Sequence, residues 1–545
     1  MRLEHVIGGA ALLSLVMSCG GSSGGTPSPP PQPPPFTSVK QVQVSQPPTF
    51  GTCNGVAQQG TLYDKTAVEP SLVVNPANSV NLIAAWQQER WDNGGAQAVN
   101  LGVSFDGGTS WQIRNAAFSV CTGGNVNNGG NYLRASDPWV TASPTGLIYA
   151  LTLSFTGGAL LAGSSNAQLV ARSIDGGNTW GVTTPLMRDG ASFFNDKGSI
   201  TADPTNASYV YAVWDRMDGQ TNGGPSWFAF TQDGGNSWQA ARNIYDPGPN
   251  NQTLGNIIVV LPTGVLVNVF TELDTSADGK ITAELRAIRS TDRGANWSTP
   301  PVTIAEEQAV GASDPLTSTP IRDSSDLFSV ATSVSGVIYV AWQDARFSSG
   351  QHDGIALASS TDGGLTWSTP VQVNADAKAV AFTPTINVRS DGVIAITYYD
   401  LRNDTFAGMV LTDCWMVSSS DGKTFKEAHL AGPFNLNNAP RSEIDANNTL
   451  GLFLGDYQAL ASTSMQFLPF FAQTNPGTAV SSDVFVNFPP AADVAAAAAQ
   501  PAVAPVAREF HAHEAQPGAV LDETARRRVM DRIRAVQHAR WSQGH

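Results

Sequence analysis

Histidine, cysteine and positive charge are all scarce in this sequence of 545 residues. Only His352 and His429 fall between residues 38 and 489, which is too few to form a histidine metal site or a Ser-His-Asp triad there. Thirty Lys and Arg residues against 45 Asp and Glu residues give a net charge of −15, and such a surface repels nucleic acid. We therefore expect no metal, no other cofactor and no nucleic-acid partner.

Long apolar runs are also missing, since the stretch from Val6 to Val16 is too short to span a bilayer. Arg2 precedes this stretch and the small residue Ser18 follows it, which predicts a signal peptide over residues 1–19. The end of that segment, Val-Met-Ser-Cys19, resembles a bacterial lipobox. The resemblance implies that Cys19 carries a lipid and anchors an exported protein at the cell envelope, in the outer membrane or at the cell surface. A cleaved export signal without a lipid is the alternative.

Besides Cys19, the sequence contains Cys53, Cys121 and Cys414. Cys53 and Cys121 lie in Gly- and Asn-rich sequence typical of loops, whereas Cys414 lies in an apolar stretch typical of a buried strand, where free cysteine is common. Because export leads to an oxidising compartment, we predict one disulfide, between Cys53 and Cys121.

Composition divides the rest of the chain into a folded body and its flanking segments. Residues 20–37 are rich in Gly, Ser and Pro and predict an extended tether, and residues 490–520 predict an Ala- and Pro-rich linker. Residues 521–545 predict a basic helix with a narrow apolar stripe. The body, residues 38–489, contains runs of alternating or continuous apolar residues between Gly-rich turns, which is typical of β-strands.

An octapeptide recurs through this body. Each copy has Ser or Thr first, Asp third, Gly fifth and Trp last, and its Asp residues are Asp106, Asp175, Asp233, Asp292 and Asp362. A sixth copy, residues 418–425, has Ser420 in place of Asp and Phe425 in place of Trp. Asp can accept backbone N–H bonds across a tight turn, and Gly can adopt the left-handed backbone that the turn requires. The octapeptide is therefore a structural turn and carries no catalysis itself.

These octapeptides resemble the Asp-box, or BNR, repeat of the sialidase superfamily. The resemblance implies an all-β fold, a β-propeller of four-stranded blades with an Asp box between the third and fourth strands of a blade. We predict seven blades, with the strand at residues 38–45 closing the ring, and six blades are the alternative. The boxes would then mark one face, and function would lie on the opposite face.

Acidic and arginine residues are frequent where the sequence reaches that opposite face. The resemblance implies a clamp of three arginines for a substrate carboxylate, a Tyr nucleophile activated by Glu, and an Asp acid, which by topology would be Arg90, Arg134, Arg216, Tyr457, Glu69 and Asp137. Further candidates for substrate binding are Asp196, Lys197 and Asp456. The Arg-Ile-Pro signature of sialidases is missing from the first blade.

Three Asp and Arg pairs recur after an aromatic residue, and they are Asp215 with Arg216, Asp344 with Arg346, and Asp400 with Arg402. Their periodicity favours structural salt bridges between adjacent blades over a substrate site. Two functions therefore stay open. One is a sialidase-like glycoside hydrolase of the exo-sialidase type, and the other is a non-catalytic propeller that binds a glycan or a protein. In either case we expect a monomer.

Overall fold

The computed structural model of the chain describes residues 39–46, 50, 51, 53, 58–444, 449–477 and 479–497, all within one compact unit, residues 36–545. Nearly all regular structure in these residues is β-strand, so the predicted all-β class is confirmed. The predicted signal peptide, Cys19, the tether, most of the linker and the C-terminal helix lie outside the described residues. Among the described residues, no helix has the length and apolar character needed to cross a membrane.

The strands form groups of four, which we number as sheets in chain order. After β1 (Lys40–Gln43), sheet 1 consists of β2 (Leu62–Val74), β3 (Leu82–Trp91), β4 (Ala96–Ser104) and β5 (Gln112–Ile113). Sheet 2 consists of β6 (Arg134–Ala142), β7 (Ile148–Thr156), β8 (Ser165–Ser173) and β9 (Thr184–Gly190). Sheet 3 consists of β10 (Phe193–Ala202), β11 (Val210–Asp218), β12 (Ser226–Thr231) and β13 (Arg242–Tyr245). Sheet 4 consists of β14 (Gln252–Val260), β15 (Leu266–Thr275), β16 (Ile281–Ser290) and β17 (Val302–Glu306).

The second half of the chain repeats this order after a short strand, β18 (Ile321–Arg322). Sheet 5 consists of β19 (Phe328–Thr332), β20 (Ile338–Asp344), β21 (Gly354–Ser360) and β22 (Val371–Gln372). Sheet 6 consists of β23 (Ala381–Val388), β24 (Ile394–Asp400), β25 (Leu411–Ser419) and β26 (Lys426–Asn435). Two short strands follow, β27 (Arg441–Glu443) and β28 (Leu450–Phe453). Sheet 7 consists of β29 (Ala459–Ser462), β30 (Phe467–Thr474), β31 (Ser482–Phe488) and, as its fourth strand, β1.

Within each sheet the strands are antiparallel, and the first strands of successive sheets contact one another in the order β2, β6, β10, β14, β19, β23 and β29. The circuit is complete because β29 also contacts β2. Side chains bridge these strands, as where Ser71 Oγ accepts from the Val140 backbone N–H at 3.2 Å. The first strands therefore surround a common centre, which is the arrangement of a β-propeller.

Between the sheets lies an apolar core in which large aromatic residues recur at one position. Trp86, Trp214 and Trp342 occupy the middle of the second strands β3, β11 and β20, and all three are fully buried. Gly102 on β4 faces this layer, and a side chain there would lie about 3.0 Å from the Trp86 ring. Sheets 1, 3 and 5 therefore share one large aromatic residue at the same place in their cores.

Short strands and turns outside the seven sheets complete the described fold. A small sheet joins β18 to β28 in parallel and β28 to β27 in antiparallel fashion, so it combines the connection before sheet 5 with the connection before sheet 7. The 3-10 turns are Val120–Thr122, Arg346–Ser348, Leu436–Asn438 and Ala491–Asp493. The segment Asp274–Gly279 lies in the β15–β16 hairpin.

Each full Asp box forms the turn after the third strand of sheets 1 to 5. In the first box, Ser104 Oγ donates to Asp106 Oδ1 at 2.8 Å, and that oxygen also accepts from the Ser110 backbone N–H at 2.9 Å. Gly108 donates its N–H to Ser104 Oγ at 2.9 Å and has a left-handed φ of 87°.

The sixth box differs from the prediction by one position. Its acceptor is Asp421 rather than a residue at 420, because Ser419 Oγ donates to Asp421 Oδ1 at 2.9 Å. Thr424 then donates its backbone N–H to the same oxygen at 2.8 Å, three residues after the Asp rather than four. The turn is therefore one residue shorter than in the other boxes, which is why the register predicted from the sequence is wrong.

A disulfide joins Cys53 to Cys121, the pair that the sequence favours, and Cys414 is a free, buried cysteine on β25. Burial raises the pKa of the Cys414 thiol well above its ordinary value, so this thiol is held in its neutral, unreactive form.

Candidate functional site

The first strands carry a repeated irregularity near their midpoints. In five of them the pairing with the second strand skips residues, and a residue with left-handed φ lies in each gap: Glu69, Asp137, Lys197, Gly255 and Thr383. A β-bulge of this kind turns one side chain away from its place in the sheet, and a left-handed backbone is costly for any residue except Gly. The bulges therefore place two carboxylates and one amine at the centre of the ring.

Lys197 and Arg322 both bind the carboxylate of Asp456. Arg322 donates from Nε to Oδ1 at 2.8 Å and from Nη2 to Oδ2 at 2.6 Å, while Lys197 Nζ forms an ion pair with Oδ2. The Asp456 side chain is only 5% exposed. Burial acts to raise the pKa of Asp456, but the charges of Arg322 and Lys197 outweigh it and hold that pKa well below its ordinary value. Asp456 is therefore a buried carboxylate that Arg322 and Lys197 hold in its ionised form.

Glu69 lies next to this ion pair, in contact with the backbone of Asp456. Its Oε1 accepts from the Asp456 backbone N–H at 3.2 Å, and its Oε2 accepts from Gln87 Nε2. The approach is close because Gly455 has no side chain, since a Cβ there would lie 2.8 Å from the Glu69 Cα. Burial, followed by the negative charges of Asp456 and Asp137, raises the pKa of Glu69 to about 7. Near neutral pH, Glu69 can thus hold or accept a proton.

Asp137 occupies the equivalent bulge in the neighbouring sheet. Its Oδ2 accepts from the Lys197 backbone N–H at 3.2 Å, and its Oδ1 accepts from Ser136 Oγ at 3.0 Å. Burial raises the pKa of Asp137, although the charge of Lys197 partly opposes the shift. Asp196, the residue before Lys197, is buried as well and accepts from the Lys197 backbone N–H at 3.1 Å.

Arg90 reaches the same cluster from β3. It donates from Nη1 to Gln87 Oε1 at 2.7 Å and from Nη2 to Ser442 Oγ at 3.0 Å, and its guanidinium lies 4.7 Å from the centre of the Phe453 ring. Arg90 pairs with Ala96 at the start of β4, whereas the Asp box follows the end of β4. The cluster therefore extends from mid-strand toward the face away from that box.

Tyr457 follows Asp456 and lines a cavity inside the ring of first strands. The walls of this cavity combine charged, polar and apolar side chains, among them Lys197, Asn256, Phe328, Thr385, Asp456 and Trp139. The ring of Tyr457 packs edge-on against Trp139, with 5.7 Å between the ring centres. Its hydroxyl is buried and has no hydrogen-bond partner among the described residues. Burial and then the negative charge of Glu69 raise the pKa of Tyr457 well above its ordinary value.

Thus the structure brings seven of the nine predicted site residues into one cluster: Glu69, Arg90, Asp137, Asp196, Lys197, Asp456 and Tyr457. It does not bring the three predicted arginines together. Arg134 donates to Gln58, Asn93 and two backbone carbonyls. Arg216 forms a two-point ion pair with Asp189 and lies 3.7 Å from the centre of the Phe193 ring.

Two of the three recurring Asp and Arg pairs form salt bridges, but these do not join adjacent blades as the sequence predicts. Arg346 binds Asp344, and Arg402 binds Asp400, in each case within one sheet rather than between neighbours. The carboxylates also accept from the nearby indoles of Trp342 and Trp415. Arg216 departs from this pattern, because its ion pair is with Asp189.

Arg322 and Ser442 are the members of the cluster that sequence reasoning missed. Both lie in the small sheet of β18, β27 and β28, which is built from long connections outside the repeat. The only signal was the length of the segments between the fourth and first strands at residues 307–327 and 436–458. In the described part of the chain, no three His, Cys, Asp or Glu side chains are grouped so that they would hold a metal ion.

Comparison with solved structures gives weak overall similarities. A protein of unknown function from Dyadobacter fermentans has a TM-score of 0.44 and 13% identity, over 84% of this chain and 99% of that one. An alpha-L-arabinanase from Penicillium chrysogenum has a TM-score of 0.42 and 16% identity, over 66% of this chain and 94% of that one. A Hadza microbial sialidase has a TM-score of 0.42 and 15% identity, over 76% of this chain and 74% of that one. These values are too low to transfer an activity. None of the curated proteins matches the sequence.

A protein-family model, described as a BNR repeat-like domain, matches residues 210–451. This range runs from β11 to β28 and includes the boxes at Asp233, Asp292 and Asp362. Residues 210–451 are therefore similar to a BNR repeat-like domain.

Proposed function

We propose that the protein acts on a glycan at the cavity beside Tyr457, as a glycoside hydrolase. The observation that carries this proposal is the separation of carboxyl pKa values within one cluster. Asp456 stays ionised, while burial raises the pKa of Asp137 and brings that of Glu69 to about 7. A carboxyl group with a raised pKa, such as Asp137, can act as a general acid, and one with a pKa of about 7, such as Glu69, can also accept a proton near neutral pH.

The roles follow the resemblance to sialidases. Asp137 gives its proton to the leaving-group oxygen while the glycosidic bond breaks, and Tyr457 Oη bonds to the anomeric carbon as Glu69 takes its proton. Water then attacks the anomeric carbon and gives one proton to Asp137, while the bond from that carbon to Tyr457 Oη breaks and Glu69 returns its proton to Tyr457 Oη, which releases the sugar. The Tyr457 hydroxyl has no hydrogen-bond partner among the described residues and lines the cavity, which supports its assignment as the group that bonds to the sugar.

The test is release of a fluorophore from a panel of aryl glycosides, including sialosides and uncharged glycosides, by the purified protein. Tyr457→Phe, Asp137→Asn and Glu69→Gln should each lower the rate by about a hundredfold or more, as expected for loss of a nucleophile or an acid–base group. Tyr399→Phe and Asp353→Asn are matched controls, because both residues are fully buried outside the cavity. Equal losses in the controls would point to misfolding, and no turnover of any glycoside would contradict the proposal.

A non-catalytic glycan-binding propeller is the second candidate. The ion pairs within the cluster favour this function, because Asp456 forms an ion pair with both Arg322 and Lys197. Retention of the protein on a glycan array, with no fluorophore release from the same sugars, would select this function.

We also propose that the seven sheets are the seven blades of one propeller, closed by β1 on β31, with the Asp boxes on the face opposite the cluster. For location, we propose an exported protein anchored through Cys19. The Cys53–Cys121 disulfide supports export. Incorporation of labelled fatty acid into the wild type but not into Cys19→Ala would test the anchor.

A further inference from the structure

Arg322 and Lys197 bind Asp456 with the geometry in which a protein binds the carboxylate of a ligand. Arg322 presents two parallel N–H donors to the two oxygens of Asp456, and Lys197 adds a third donor to Oδ2. A guanidinium fork of this kind binds the carboxylate of an acidic ligand in the same way. Here the carboxylate belongs to the protein itself.

Most of the other nitrogen atoms of the arginines around Asp456 also have partners, although Arg90 Nε is buried without one among the described residues. Arg322 Nη1 donates to Ser442 Oγ at 3.2 Å and to the Glu443 carbonyl at 3.1 Å. Both Nη atoms of Arg90 have partners, Gln87 and Ser442, and Arg134 is held by carbonyl and amide oxygens. An incoming carboxylate would have to displace Asp456 to bind the two-donor fork of Arg322. That step would leave a buried carboxylate without its partners, which is strongly unfavourable.

Resting on the proposed function, we infer that the site takes an uncharged glycan and excludes acidic sugars, because Asp456 permanently occupies the position of a substrate carboxylate. The other walls of the cavity suit a neutral sugar. Trp139 and Phe328 offer apolar ring surface. Asn256, Thr385, Gln458 and Ser199 are uncharged polar groups that hydrogen-bond within the protein, so they bring no charge to the cavity wall. Such a mixture binds hydroxyl groups and C–H surfaces rather than anions.

The first experiment compares matched glycans on an array, each neutral glycan beside its sialylated or uronic-acid counterpart. The wild-type protein should retain the neutral member and bind the acidic member about a hundredfold or more weakly. Preference for the acidic member would overturn the inference. If neither member of any pair is bound or turned over, the proposed function fails, and the second experiment still decides whether Asp456 occupies a carboxylate site.

The second experiment removes the internal carboxylate and supplies one from solution. Asp456→Ala should have a lowered melting temperature that rises again in formate at about 0.1 M, above the effect of chloride at equal ionic strength. Asp456→Asn is the matched control, because its side chain fills the same space and leaves no room for formate. The wild type should likewise not respond. A folded Asp456→Ala protein that ignores formate would contradict the inference, and if that variant does not fold, the array comparison on the wild type decides it.

Discussion

At the scale of single residues, the Asp boxes show how one carboxylate organises a turn. Asp175 Oδ1 accepts from Ser173 Oγ and from the Thr179 backbone N–H, both at 2.8 Å, and Oδ2 accepts from Thr179 Oγ1 at 2.6 Å. The side chain is exposed, so water competes for each of these bonds. The contribution of one box to stability should therefore be modest.

Replacement of Asp175 by Ala should lower the free energy of unfolding by about 1 kcal/mol, since it removes three charge-assisted hydrogen bonds at an exposed site. Urea denaturation followed by tryptophan fluorescence would measure the loss. Asp64→Ala is the control, because Asp64 is also exposed and lies outside the boxes. A loss equal to that of the control would show that the box carboxylate does not stabilise the turn.

The sequence predicts residues of this kind well because their chemistry is local. A Ser, an Asp and a Gly within five positions are enough to define the turn, and only the shortened sixth box, with Asp421, departs from the pattern. The charge of Glu69, Asp137 and Lys197 and their place on the first strands mark them as candidates in the sequence. Their left-handed bulges are not predictable in the same way, because a bulge depends on the register with a neighbouring strand.

At the scale of elements, the first strand of the chain completes the last sheet. Residues 40–43 of β1 pair with residues 485–488 of β31, and the Val44 backbone N–H continues the ladder to the Val484 carbonyl at 2.9 Å. Without β1, the apolar strand β31 would present an open edge on that side.

Deletion of residues 1–45 should therefore lower the melting temperature and promote aggregation, because the edge of β31 becomes free to pair with another chain. Differential scanning calorimetry and size-exclusion chromatography would record both effects. Deletion of residues 1–37 is the matched control, since it retains β1. Equal behaviour of the two truncated proteins would show that β1 does not close the sheet.

The elements that repeat are predictable from the sequence, and those that interrupt the repeat are not. Residues 38–45 resemble the fourth strands of other sheets, and this resemblance alone indicates the role of β1. In contrast, β18, β27 and β28 are two to four residues long and pair only with one another, outside the repeat, so neither length nor periodicity marks them. Arg322 was missed for this reason, and with it the partner of Asp456.

At the scale of the whole molecule, two groups of acids respond to pH in opposite directions. Hydrogen bonds from Ser110 lower the pKa of Asp106 to about 2, and bonds from Asn296 do the same for Asp292. Burial raises the pKa of Glu69 to about 7, with Asp456 adding to the shift, and raises that of Asp353 to about 8, with Asp323 adding to it. The first group stabilises the fold above the unfolded value of 3.8 and loses this effect as the pH falls toward 2.

The second group has the opposite sign, because a raised folded pKa means that the folded protein binds the proton more tightly. Its contribution is complete below the unfolded values of 4.5 for Glu69 and 3.8 for Asp353, and it is lost as the pH rises through about 7 and about 8. Stability should therefore be greatest in mildly acidic solution and should decline from pH 5 to pH 8.

Asp353→Asn should make this decline shallower, by at most about 1.4 kcal/mol per pH unit, because one proton-releasing group is gone. Urea denaturation at several pH values between 5 and 8 gives the slope directly. The exposed Asp64→Asn substitution provides the comparison. An unchanged slope in Asp353→Asn would contradict the assigned cause.

Closure of the ring also sets an order of events in time. A chain made from its N-terminus produces β1 first and β31 last among the strands described, so β1 has no partner in its own sheet until nearly all the others exist. Contacts between such distant segments form slowly. The strand β1 is only four residues long and begins with Lys40. Both features disfavour pairing of β1 with the edge of another sheet before β31 has been made. Once the ring is closed, the ammonium group of Lys40 lies 4.8 Å from the centre of the Phe488 ring. This cation–π contact helps to keep β1 paired with β31.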